Sequence, residues 1–149
     1  MSDEKLLRLL RGDLELIRLA ASSLEKSLIK CAKLTPAQRQ SFEDEETFDA
    51  LTSRFARTAD ILTQKVLKTV ILLLREDAPT FIDRMNLCEK LGIIPSADEL
   101  VAVRDLRNMI AHEYATENLL ELYADTVGAS PALLTAVSAA TRFIEHRFA

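Results

Sequence analysis

At 149 residues with 48% apolar side chains, the chain is long enough to bury a real core and fits one domain, 1–149. Three Gly and four Pro, set against abundant Leu, Ala, Glu, Arg and Lys, predict helices rather than sheets. A net charge of −4 excludes broad, unspecific attraction to nucleic acid, which needs basic surface to displace counterions, so any RNA contact has to be local.

Cys31 and Cys88 stand 57 positions apart, in no CxxC or zinc spacing, and two thiols are too few for a secreted disulfide framework. Both are expected reduced in apolar surroundings. The segment Met1-Ser-Asp-Glu-Lys leads into an amphipathic run rather than a signal peptide. The longest unbroken apolar run, Val70 to Leu74, is far short of a membrane span. A soluble, cytoplasmic protein with no membrane partner is the expectation.

In chain order, the first helix is predicted over 3–33. Leu7, Leu10, Leu14, Ile17, Ala21, Leu24, Leu28 and Cys31 alternate steps of 3 and 4, a seam that packs along another long helix. That helix belongs either to the same chain or to a second copy. Thr35-Pro36-Ala37-Gln38 carries the marks of a short helical turn, and 40–46 reads as a polar connection. A second helix over 46–76 puts Phe48, Leu51, Phe55, Ala59, Leu62, Val66, Val70 and Leu73 on its core face. Arg54, Arg57, Lys65 and Lys68 share another sector. They form either a solvated charged side or a basic rim that could meet phosphates, the latter only if it lies near Arg104 and Arg107.

A third helix, 79–91, opens at Pro79 and stops at Gly92. Ser96 and Glu99 have capping-box spacing and start a fourth helix, 96–114. Ala102, Val103, Leu106, Met109 and Ile110 make its expected packing face, while Val101, Asp105, Asn108 and His112 follow each other at steps of 4, 3 and 4. Three polar side chains thus lie in one line, flanked by Arg104, with Arg107 and Tyr114 sharing a second line. A short helix over 117–127 should stop at Gly128, and Ser130-Pro131 should start the last helix. The expected architecture is an all-α, up-and-down bundle of four to five main helices with short extra helices.

Familiar sites are missing. There is no GxxxxGK[ST], GxGxxG, HExxH, Cys/His cluster or GxSxG, so neither a cofactor nor a metal is expected. What remains is the run RNMIAHEY, residues 107–114. Arg107, four intervening residues, His112 and then Tyr114, with Asn108 directly after the arginine, resembles the Arg-x4-6-His signature of the HEPN superfamily. It is most similar to the form found in HepT-like ribonuclease toxins and in the substrate-binding partners of minimal nucleotidyltransferases.

The resemblance implies a HEPN-like bundle that dimerises so that two signatures face one cleft, which would offer two His and two Arg to one RNA. It implies metal-independent endoribonuclease activity through attack of the ribose 2′-hydroxyl on the adjacent phosphate. His112 would be general base or acid, Arg107 would hold the phosphate, and Asn108 would orient His112. Asp105 and Arg104 would support them as an ion-pair network. Tyr114 would be the residue that a nucleotidyltransferase antitoxin modifies with AMP. Read without the resemblance, His112 is a helix-end histidine, Arg107 is a salt-bridge partner of Glu99, Asp105 or Glu113, and Tyr114 packs on Tyr123 or Phe143. A non-catalytic nucleotide- or RNA-binding subunit of a nucleotidyltransferase, or a plain interaction module, are the other functional readings.

Overall fold

The computed structural model describes residues 2–34, 41–112 and 119–148, and among these it is all-helical. Five rods follow one another: α1 (Asp3–Ala32), α2 (42–73), α3 (Phe81–Lys90), α4 (Ala97–His112) and α5 (Leu119–Phe148). The expected turn over Thr35 to Gln38 and the expected roles of Glu113 and Tyr114 fall outside the described residues.

The seam of α1 buries Leu10, Leu14, Ile17, Leu24 and Cys31 against α2 and α5 of the same chain, so the intramolecular packing expected of it is present. Three ties fix α1 antiparallel to α2. Arg75 donates to Asp3 at one end, Arg54 to Ser27 in the middle, and the Cys31 thiol to the Thr47 carbonyl at the other end. Arg18 pairs with Glu145, which sets α5 beside α1 as the third long element of the bundle.

Helix α2 is the central rod. It begins at Phe42, four residues earlier than its apolar pattern suggests, because Ser41 caps it by accepting from the Asp44 amide at 3.1 Å. Glu43, Asp44 and Glu45 fill its first turn, where the free amides favour carboxylates. Regular helix runs over Phe42–Asp60, a π-helical turn over Ile61–Val66, and regular helix resumes over Leu67–Leu73. From Thr58 to Ile71 only Asp60, Gln64, Lys65 and Lys68 escape full burial, so the π turn lies where α2 is enclosed by its neighbours.

Helix α3 starts at Phe81, two residues after the sequence suggests. Thr80, not Pro79, is the cap, in a reciprocal capping box with Asp83. Gly92, at φ 77°, closes it as expected, with the Ile93 amide reaching back to the Cys88 carbonyl at 2.8 Å.

The largest departure from expectation is α5, one helix of 30 residues rather than two. Gly128 does not end it and Pro131 does not start a new one. Tyr123, Thr126, Ser130, Leu133, Val137, Ala140 and Ile144 form one buried stripe that runs through both residues, and packing of that stripe outweighs the local breakers. Two buried hydroxyls on this stripe are satisfied within the helix: Thr126 donates to the Leu122 carbonyl and Ser130 to the Thr126 carbonyl, both at 2.7 Å. The joined helix is also long and apolar enough to cross a membrane by length and composition alone, which corrects the expectation that no such stretch exists. Within this fold its stripe faces α1, α2 and α4 as part of the core.

Candidate functional site

Helix α4 is anchored at its first turn from two directions. Ser96 accepts from the Glu99 amide at 3.2 Å, and Glu89, on α3, accepts from the Ala97 amide at 2.9 Å. A carboxylate at a helix N-terminus satisfies a free amide and the helix dipole together. Ala97, Leu100, Val103 and Leu106 then bury themselves against α2, α3 and α5. This seam is rotated from the expected packing face. Ala102 is exposed and Met109 is 51% exposed, because α4 turns its Val103–Leu106 edge, rather than its Ala102–Met109 edge, to the core.

The rotation decides where Arg107 points. Its Nε and one Nη donate to the two carboxylate oxygens of Asp60, at 2.7 and 2.8 Å, a side-on bidentate pair between α4 and α2. Both partners are part-exposed, 29% for the Arg107 side chain and 44% for Asp60. The hydrogen bonds that Arg107 donates to Asp60 raise the arginine above its ordinary pKa, against the opposing cost of partial burial. Of the three acids proposed from sequence, neither Glu99 nor Asp105 holds this arginine, and Glu113 lies outside the described residues. Asp60, the acid that does, is the sole acidic residue between Asp49 and Glu76, but nothing in that spacing pairs it with Arg107.

A side-on pair uses Nε and one Nη, so among the described residues the remaining guanidinium edge is open to a second acceptor. Asp60 therefore fixes the plane of Arg107 without occupying all its donors. Asp60 is also the residue immediately before the π turn, whose Leu67 amide reaches the Leu62 carbonyl five positions back. Between that turn and α4 lies a cavity of about 190 Å³ lined by Asp60, Thr63, Gln64, Arg104, Arg107 and Asn108, with Ala59 and Val103 as its apolar wall.

Arg104 stacks over the Phe81 ring at 4.4 Å and donates to Asp105 at 3.4 Å, so the expected Arg104–Asp105 pair is present. Val101, half-buried, and Asp105, Asn108 and His112, all exposed, form the expected line toward solvent. His112 is the last described residue of α4 and is exposed. Arg107, Asn108 and Arg104 thus meet at one cavity, and His112 stands one turn beyond Asn108 on the open side. Tyr114 lies outside the described residues.

The four basic residues of α2 do not form a continuous rim beside Arg107. Arg54 is turned to α1, donating to Ser27 Oγ at 2.6 Å and to the Ser23 carbonyl at 3.3 Å. Lys65 is exposed, and its charge favours the carboxylate of Asp13 on α1. Arg57 is exposed and Lys68 half-buried, and the side chains of α2 that line the Arg107 cavity are Ala59, Asp60, Thr63 and Gln64. Among the described residues, no group of three or more His, Cys, Asp or Glu side chains is gathered as a metal would require.

No family model, no curated protein and no solved structure matches the chain.

Proposed function

We propose that this protein is a metal-independent endoribonuclease of the HEPN type, the toxin of a two-component pair, acting in the cytoplasm through a cleft shared by two copies. The observation that carries the reading is the placement of the signature residues. Arg107, Asn108 and Arg104 line one cavity on α4, Arg107 is held in a fixed plane with an open edge, and His112 stands exposed one turn further along.

In the proposed reaction the ribose 2′-hydroxyl attacks the neighbouring phosphorus, the bond to the 5′-oxygen breaks, and a 2′,3′-cyclic phosphate is left. His112 from one copy removes the 2′-proton and His112 from the other protonates the departing oxygen. The open edge of Arg107 binds a non-bridging phosphate oxygen, where charge builds in the transition state. Asn108 hydrogen-bonds His112 or the backbone phosphate, and Asp60 positions Arg107. The homodimer is supported by the exposed face of α4, where Ala102 and Met109 share the solvent side with Asp105 and His112. Tyr114 is the proposed modification site for a nucleotidyltransferase antitoxin encoded nearby.

A second reading draws on the same pair. With Asp60 neutralising Arg107, the site could present RNA or nucleotide to a minimal nucleotidyltransferase without cutting it. Expression in a bacterial host separates the two. Growth arrest with wild type and none with His112→Ala supports the ribonuclease. Equal growth of both, with stable co-purification of a small nucleotidyltransferase, supports the binding subunit.

A further inference from the structure

The cavity between the π turn and α4 holds more recognition chemistry than a phosphate clamp uses. Its volume of about 190 Å³ equals roughly six waters at ~30 Å³ each, room for one small planar ring and too little for a whole nucleotide. Two carboxamides reach it from different helices, Gln64 from the π turn and Asn108 from α4. Gln64 spends one N–H in a long 3.4 Å contact to Thr63 Oγ1, and its carbonyl oxygen and second N–H remain for a ligand. Thr63 is itself satisfied, donating to the Ala59 carbonyl at 2.8 Å, which fixes the floor beneath Gln64.

Arg104 adds a flat surface. One face of its guanidinium is covered by Phe81, the side chain is 34% exposed, and its Nε is buried with no partner. A guanidinium held flat on an aromatic ring is a platform on which an unstacked base can lie. The cavity thus combines a planar cationic platform, an apolar wall and two donor–acceptor amides, beside an arginine whose open edge suits the neighbouring phosphate.

We propose that this cavity is a base-reading subsite: a nucleobase next to the scissile phosphate inserts between the π turn and α4, stacks beside Arg104, and is read by Gln64 and Asn108. On the purine edge that carries N7, the adjacent donor and acceptor of a carboxamide complement adenine, which offers N6–H and N7, so adenine is the base we assign. Guanine on the same edge offers two acceptors and demands two donors, which a carboxamide does not supply to it. The subsite rests on the RNA reading above for its biological ligand, although its binding chemistry can be measured alone.

The test is titration of the full-length protein with AMP, GMP, CMP, UMP and inorganic phosphate, followed by calorimetry or ligand-observed NMR. AMP should bind most tightly, and Gln64→Ala and Asn108→Ala should each weaken it by about fivefold or more, the low end for loss of a bidentate base contact. Phosphate binding should be unchanged in Gln64→Ala, whose side chain is exposed and whose loss leaves the fold intact by circular dichroism. Equal binding of all four nucleotides, no nucleotide binding, or AMP affinity unchanged in Gln64→Ala would overturn the subsite. RNA cleavage without base preference would leave the ribonuclease standing and remove the subsite. AMP selectivity without cleavage would do the reverse.

Discussion

The Asp60–Arg107 pair gives the most quantitative prediction. Fully exposed ion pairs contribute about 0.2–1 kcal/mol, and breaking a fully buried one costs about 3–5 kcal/mol. This pair lies between, with side chains 29% and 44% exposed and two charge-assisted hydrogen bonds of 2.7 and 2.8 Å. A coupling of about 1–2 kcal/mol follows, since two good hydrogen bonds to ionised groups are partly offset by desolvation and by solvent screening. The assay is a double-mutant cycle with Asp60→Asn, Arg107→Gln and the double variant, each unfolded in urea at low and high salt. Asp60→Asn alone should lower the midpoint by about 2–8 °C in a thermal scan, at 2–4 °C per kcal/mol for a chain of this size. Raising the salt to about 1 M should shrink the coupling but not abolish it, because the pair is part-shielded from solvent. A coupling below about 0.3 kcal/mol would refute the claim that Asp60 holds Arg107 in place, and with it the fixed plane invoked for phosphate binding.

Three further outcomes are expected. Burial pushes the Cys88 thiol up to about 12 and raises Cys31 as well, and both are buried, so neither should react with an aromatic disulfide reagent near pH 8 until denaturant is added. Burial also raises the Asp13 carboxyl, with Lys65 opposing it. The folded state therefore binds that proton more tightly than the unfolded chain. The penalty is absent below the ordinary value of 3.8 and fully present once pH passes the raised one, so Asp13→Asn should stabilise at about pH 7 and lose that advantage at about pH 3 in urea titrations. Gly128 sits exposed inside α5 with no atom within 4 Å of where a Cβ would stand, so Gly128→Ala should add about 0.5–1 kcal/mol in the same assay.

Much of this architecture was legible from apolar spacing. The seams of α1 and α2 followed steps of 3 and 4, and Phe48, Leu51, Phe55, Ala59, Leu62, Val66 and Val70 are all buried where the pattern put them. Caps were readable where side chain and spacing agreed, as at Ser96, and missed at Ser41, whose acidic first turn looked like linker. Two features depend on contacts that no local pattern carries. Continuous burial of one stripe overrode Gly128 and Pro131 in α5, and the same kind of long-range packing set the rotation of α4 that exposes Met109. At the site, the α4 side of the constellation could be read because those residues share one helix. Asp60, Thr63 and Gln64 could not, because only the approach of α2 brings them to Arg107.

The central claim is that the α4 constellation cuts RNA without metal, and one measurement reaches it most directly. Purified wild type, Arg107→Gln and His112→Ala are each incubated with a mixed-sequence RNA in EDTA, and product ends are identified by mass spectrometry. The account predicts cleavage by wild type with 2′,3′-cyclic phosphate ends, and loss of cleavage in both variants by at least the roughly 100-fold contribution of a general acid–base residue. Cleavage that persists unchanged in His112→Ala, or RNA that stays intact with the wild-type protein, would contradict it.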